Sequence, residues 1–163
     1  MPITRVASYQ ELLEWLTEDN VPHRADEASQ TIEIPVDTAP LSGLLYLRWE
    51  KKLPYLQIIH PFVVDVPEGR VHDVETAIVR ANNINPLPGL GFMHEKRFIY
   101  MRLCVPIYDG MRVENVRKQI VGVLNNAADF LGAFKAIVAG KPGEQVMALA
   151  VQEANERARA KGQ

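Results

Sequence analysis

The chain has 163 residues, 47% of them hydrophobic and 23% charged, which lies in the ordinary globular range and excludes disordered, collagenous and coiled-coil chains. Its 18 Lys and Arg against 20 Asp and Glu leave a formal charge of −2, so there is no bulk electrostatic footprint for nucleic acid. The length predicts a single domain over residues 1–163. At this size a fold hides roughly 70% of its unfolded surface, enough for a core without disulfide or metal.

Cys104 is the single cysteine, so no intrachain disulfide forms and a disulfide-stapled secreted domain is excluded. It lies in an apolar run and reads as a small core hydrophobe. The opening Met1-Pro2-Ile3-Thr4-Arg5 leads straight into an amphipathic segment, which predicts no signal peptide. No run approaches 18 consecutive apolar residues, so no membrane span is expected, and a cytoplasmic protein follows.

The first element is a helix. Ser8-Tyr9-Gln10-Glu11 fits a capping box, and Tyr9, Leu12, Leu13 and Leu16 form one apolar stripe flanked by Trp15, before Asn20 and Pro22 end it. Residues 23–28 suggest a short strand. Thr31 to Val36 alternates as a strand with one buried face, and Pro35, which cannot donate to a ladder, suggests an edge position. Ala39 to Gly43 reads as loop. Leu44 to Lys52 is a strand with Leu45, Leu47 and Trp49 on one face and Tyr46, Arg48 and Glu50 on the other. Tyr55 to Val66 is a strand apolar on both faces, with Leu56, Ile58, Phe62 and Val64 on one and Tyr55, Ile59 and Val63 on the other; Pro61 predicts a bulge.

Val71, Val74, Ile78 and Ala81 then recur at helical spacing up to Asn82-Asn83. Gly91 to Glu95 is a short strand and Arg97 to Ile107 a long one. The long strand turns Ile99, Met101, Leu103, Val105 and Ile107 to one face and Phe98, Tyr100, Arg102 and Cys104 to the other. Val113, Val116, Ile120, Leu124, Ala127, Leu131, Phe134 and Val138 form the strongest periodic stripe in the chain. It marks a helix of about 26 residues, roughly 39 Å long, lying across a whole sheet. Leu124 and Leu131 are expected to be buried on Ile99, Met101 or Leu103. Gly140 reads as the C′ residue of that helix, and a further Ala-rich helix covers about 142–160.

No residue constellation names a chemistry. His23, His60, His72 and His94 show no metal-ligand spacing; His72-Asp73…Glu75 reads as a solvated helix face and His60 as a core or interface histidine with one hydrogen bond. There is no G-x-S-x-G, no evident Cys–His arrangement and no phosphate loop, so neither an enzyme, a cofactor nor a metal is expected. Arg48, Lys51, Lys52, Lys96, Arg97 and Arg102 lie near Tyr46, Tyr55, Phe98 and Tyr100, a pattern that could stack and neutralise single-stranded nucleic acid. The net acidity and the lack of an RNP-like motif make that partner the weaker expectation.

The second face of the sheet is too apolar to be left wet. Tyr46, Arg48, Tyr55, Ile59, Val63, Phe98, Tyr100 and Arg102 are the candidate interaction surface, with the arginines at its rim. A second copy is expected to cover part of it and the C-terminal helix the rest.

The order α-β-β-β-α-β-β-α resembles the type III secretion chaperone fold, the Tir chaperone-like group. Within that group the chain looks most like the YbjN-type proteins, a group labelled bacterial sensory transduction regulators. The resemblance is carried by Tyr9-Gln10-Glu11-Leu12-Leu13, Leu56-Gln57-Ile58-Ile59, the helix Val74 to Asn83 and the long helix from Val113, over about residues 6–140. It implies a non-enzymatic α+β protein, usually a homodimer, which in the secretion chaperones holds a client's unfolded segment on apolar grooves. The C-terminal helix is an addition to that core. The resulting expectation is an antiparallel five-stranded sheet packed on one face by the first and long helices, acting as a chaperone-like or regulatory adaptor. A single-stranded nucleic acid binder and a small-molecule-binding regulator with a pocket under the second helix are the alternatives.

Overall fold

Helix α1 (Tyr9–Glu18) starts where the capping residues put it. In the computed structural model, which describes residues 3–161, Ser8 Oγ accepts from the Glu11 amide at 3.2 Å and Glu11 Oε2 accepts from the Ala7 amide at 2.6 Å. The reach back thus lands one residue before the cap. Tyr9, Leu12, Trp15 and Leu16 are buried. Trp15 takes the place expected for Leu13, which is half-buried. Met1 and Pro2, part of the segment read for targeting, lie outside the described residues.

Strands β2 (Arg24–Asp26), β3 (Thr31–Thr38), β4 (Leu41–Trp49), β5 (Tyr55–Val63), β6 (Gly89–Met93) and β7 (Phe98–Pro106) form one antiparallel sheet in the order β2-β3-β4-β5-β7-β6. The expected five strands become six because the short run before Thr31 pairs with β3. Pro35 therefore does not lie on the outermost strand. Yet β2 reaches only Thr31, Ile32 and Glu33, so the half of β3 that carries Pro35 is still a free edge. Residues 41–43, expected as loop, are the first of β4 and pair back onto β3 from Thr38↔Leu41. A separate two-stranded ribbon of β1 (Arg5–Val6) and β8 (Met111–Arg112) closes the base of α1; its two-residue strands carry too little pattern to be read in advance.

Helix α3 (Val113–Val138) lies across β4, β5 and β7. By length and composition alone it could cross a bilayer, but ten of its side chains are buried within the protein. Of the expected stripe, Val113, Val116, Ala127, Leu131 and Phe134 are buried, whereas Ile120, Leu124 and Val138 are only half-buried. Two neighbours cause the difference. Helix α4 (Val146–Lys161) packs on α3, where Asp129 pairs with Arg157, and burial on α3 extends to Ala128, Phe130, Ala133 and Ile137. The other flank of α3 faces a groove of about 510 Å³ beside α1, lined by Trp15, Ile120 and Leu124.

Helix α4 contacts α2 (Val71–Ile84) and α3 and not the second sheet face, which corrects the expectation that the C-terminal helix covers part of that face. The turn after α3 sets its course. Gly140, at φ +129°, donates to Ile137 O and Lys141 donates to Ala136 O, both at 3.0 Å, which satisfies two terminal carbonyls and reverses the chain. Arg70 clamps the same turn onto α2. Its guanidinium donates to Ile137 O at 2.7 Å and Lys141 O at 2.6 Å and pairs with Asp73 at 3.0 Å, and Asp73 accepts from the Gly143 amide at 3.3 Å.

The β6 edge of the sheet is blocked at Leu90 by a side chain. Asn82 on α2 accepts from the Leu90 amide at 2.8 Å and donates to the Leu90 carbonyl at 2.9 Å, taking the two groups through which another strand would pair there. Asn82→Ala leaves both groups of a buried residue without a partner, and the expected loss is about 1–3 kcal/mol. Urea unfolding measures it, and hydrogen exchange at the Leu90 amide locates it.

His60 is fully buried on the core face of β5, with Nδ1–H donating to Leu44 O at 3.0 Å, the single-bonded core histidine expected. Burial pushes its pKa below the ordinary 6.5, against the smaller upward pull of the Leu44 carbonyl. In the unfolded chain the ring protonates near pH 6.5. The folded state therefore binds this proton less readily, so its contribution to stability is complete above about pH 6.5 and is lost as pH falls below it. His60→Asn keeps the donor and removes the titration. We expect wild type to lose more stability than His60→Asn between neutral and mildly acidic pH, by denaturant unfolding at each pH.

Candidate functional site

The period of two assigns each strand residue a side, and the register aligns those sides into rows. One row runs Glu33, Tyr46, Ile59, Arg102 and Gly89 across β3, β4, β5, β7 and β6. The row beside it pairs Pro35 with Leu44 and runs Pro61, Tyr100 and Gly91 through β5, β7 and β6. Arg48 and Gln57 begin the row on the other flank, and Phe98 with Met93 closes the near end. Of these, Glu33, Leu44, Tyr46, Arg48, Gln57, Ile59, Pro61, Met93, Phe98, Tyr100 and Arg102 line an open groove of about 870 Å³ on the face turned away from the helices. None of its lining residues comes from a helix. Leu44 is 37% exposed and Met93 38% exposed, while Tyr46, Ile59, Pro61, Phe98 and Tyr100 are half-buried.

Six of the eight residues proposed from sequence meet here: Tyr46, Arg48, Ile59, Phe98, Tyr100 and Arg102. Tyr55 shares the face but stands at its far end, edge-on to Tyr108 with the two hydroxyls 3.3 Å apart. Val63 does not belong to the surface. The pairing slips between Pro61 and Val63, and the bulge turns both Phe62 and Val63 inward, with Val63 opposite Ile99 and only 6% exposed. Val64, expected in the core, is 61% exposed for the same reason. Cys104, read as a core hydrophobe, is exposed on this outer face beside Gln57.

The aromatic side of the groove is braced. Phe98 meets Tyr100 edge-on with ring centroids 6.0 Å apart, and the Arg102 guanidinium lies 5.8 Å from the centroid of the Tyr100 ring. The Tyr100 ring leans across β6, where a Cβ on Gly91 would fall 2.3 Å from it, so a larger residue there would push the ring aside. Leu44, Pro61, Met93 and Lys96 also line the groove but were outside the sequence-based candidate set. Leu44 had the correct parity; Met93 and Lys96 depend on the β6–β7 register.

The remaining polar groups do not converge on a chemistry. His72 is exposed, and Glu75 instead meets His94 at 3.2 Å. Among the described residues no group of three His, Cys, Asp or Glu side chains is placed to hold a metal ion.

No family model matches the sequence, and no curated protein matches it significantly. Solved structures do match its fold. A chain of the HopA1–SchA chaperone–effector complex aligns with TM-score 0.55 at 15% identity, over 76% of this chain and 93% of its own. A chain of the ExsC–ExsE complex aligns with TM-score 0.55 at 12% identity, over 76% and 90%. YbjN from E. coli, described as a candidate transcription regulator, aligns with TM-score 0.53 at 11% identity, over 94% and 96%. The chain thus has the α+β fold of these chaperone-complex and YbjN structures, as the resemblance implied.

Proposed function

We propose that this protein is a non-enzymatic, cytoplasmic interaction module, chaperone-like or a regulatory adaptor, and that a segment of a partner protein seats on the outer sheet face. The observation that carries this reading is the open groove of about 870 Å³, apolar at its centre and left uncovered by the chain's own helices. Seating one large apolar side chain there is worth roughly 1.5–3 kcal/mol. The fold shared with a chain of a chaperone–effector complex supports it. An array of short apolar peptides probed with wild type and with Ile59→Asp tests it. Wild type should bind a subset that the variant loses, and identical patterns would remove the groove from the proposal.

The homodimer implied by the resemblance finds better support on α2 than on the groove. Val79 on α2 is 60% exposed, and Ile84 and Leu87 at its C-terminal end are 67% and 72% exposed. A stable interface needs about 800 Å² per partner. Light scattering during size exclusion should give a dimer for wild type and for Ile59→Asp and a monomer for Val79→Asp. A wild-type monomer would sink the homodimer, and a dimer lost in Ile59→Asp would put the second copy on the sheet.

A further inference from the structure

The groove is apolar at its centre, but its charges are unbalanced. Arg48 and Arg102 are exposed at its sides and Lys96 stands at its end, and among the described residues none of the three forms an ion pair. Glu33 is the one carboxylate in the lining, and Arg24 already holds it at 2.7 Å. Each arginine also stands two residues along its strand from an aromatic ring, Arg48 from Tyr46 and Arg102 from Tyr100, a step of about 7 Å. That is the same step that separates successive like-facing side chains of an extended ligand.

Resting on the reading of this face as a seat for a protein segment, we infer that the segment is acidic as well as apolar, with aliphatic side chains spaced among carboxylates. The three free cations supply complementary charge that a neutral or basic segment would leave unpaired. The same charges disfavour a second copy face to face, because a two-fold operation would set the cationic lining of one subunit against the same cationic lining of the other. A nucleic acid strand fits less well. The middle of the groove is mainly aliphatic, through Leu44, Ile59 and Pro61, with Tyr46 the one ring among them. The Tyr100 ring is already engaged by Gly91, Phe98 and Arg102.

The test uses the full chain and synthetic peptides of about ten residues, roughly 33 Å when extended. They share the same aliphatic residues, alternated with glutamate in one set and with lysine in the other, and binding is read by fluorescence polarisation. The glutamate set should bind about ten-fold more tightly than the lysine set, and more weakly as salt rises. Arg48→Glu combined with Arg102→Glu should reverse the order. Both positions are exposed, and an unchanged thermal melt confirms the fold. Equal affinity for both sets, with both lost in Ile59→Asp, would overturn the acidic preference while keeping the apolar seat. No binding by either set, or none sensitive to Ile59→Asp, would overturn the seat and the inference with it. An oligothymidylate probe that binds more tightly than the glutamate set would give the groove to nucleic acid.

Discussion

Phe134→Ala should cost about 3–5 kcal/mol, a large part of the roughly 5–15 kcal/mol that a domain has. Phe134 is fully buried where α3 crosses the sheet. It meets Phe62 edge-on with centroids 5.9 Å apart and Phe130 at 6.2 Å. Removing the ring takes away its transfer free energy and leaves a cavity that two other rings cannot both move to fill. Phe62 sits in the bulge that shapes one wall of the groove, so the loss should reach the outer face as well as the core. Urea unfolding gives the magnitude. Leu124→Ala, at a half-buried position beside the α1 groove, should cost less than half as much, and equal losses would mean that α3 is not seated on the sheet as described.

Gly143→Ala should destabilise by about 2–4 kcal/mol. The opposite sign is the ordinary expectation, because Gly143 does not have a positive φ and an alanine at a compatible glycine stabilises by roughly 0.4–1 kcal/mol through the unfolded chain. Here the added Cβ would fall 2.1 Å from the Asp73 carbonyl oxygen and 3.1 Å from Thr76 Cβ. The oxygen belongs to the backbone of α2 and cannot swing aside as a side-chain end can. The start of α4 must therefore lift, exposing Val146 and Ala150, which are 0% and 6% exposed in the native packing. Limited proteolysis should then cut near Gly140 in the variant and spare wild type. A variant as stable as wild type would mean that α4 does not bear on α2 at this point.

The parts of this architecture that were legible in the sequence are those with an uninterrupted period. Strand β7 alternates without a break, so both of its faces were readable, and the 26 residues of α3 carry enough repeats to define helix and length. What was misread lies where one period meets another constraint. Pro61 announced a bulge, but the parity after a bulge depends on which residue is the extra one, so Val63 and Val64 exchanged sides. Cys104 was read from its residue type although its parity with Arg102 already pointed outward. Trp15 replaced Leu13 because α1 turns that side toward the groove it shares with β3 and α3, and the helix alone does not specify that angle. Asn82 before a proline-containing loop reads as an ordinary helix end, and its role exists only once Leu90 is folded beside it. Within the groove, Tyr46, Arg48, Ile59, Phe98, Tyr100 and Arg102 were legible from alternation. Met93 and Lys96 were not, because register across strands is a tertiary property.

The closed edge at Asn82 has a consequence for the grammar of recognition. A domain that binds by lending an open strand edge reads mainly the peptide backbone, and tolerates many sequences that can lie straight. Here one edge is occupied by an amide side chain, and the other is interrupted by Pro35 and covered over Thr31–Glu33 by β2. A guest on the outer face has no continuous ladder to join and is recognised through its side chains alone. Order and spacing in the guest should therefore matter more than its capacity to form a strand. Scrambling a bound peptide at constant composition should abolish binding, whereas methylating its backbone nitrogens should leave binding largely intact.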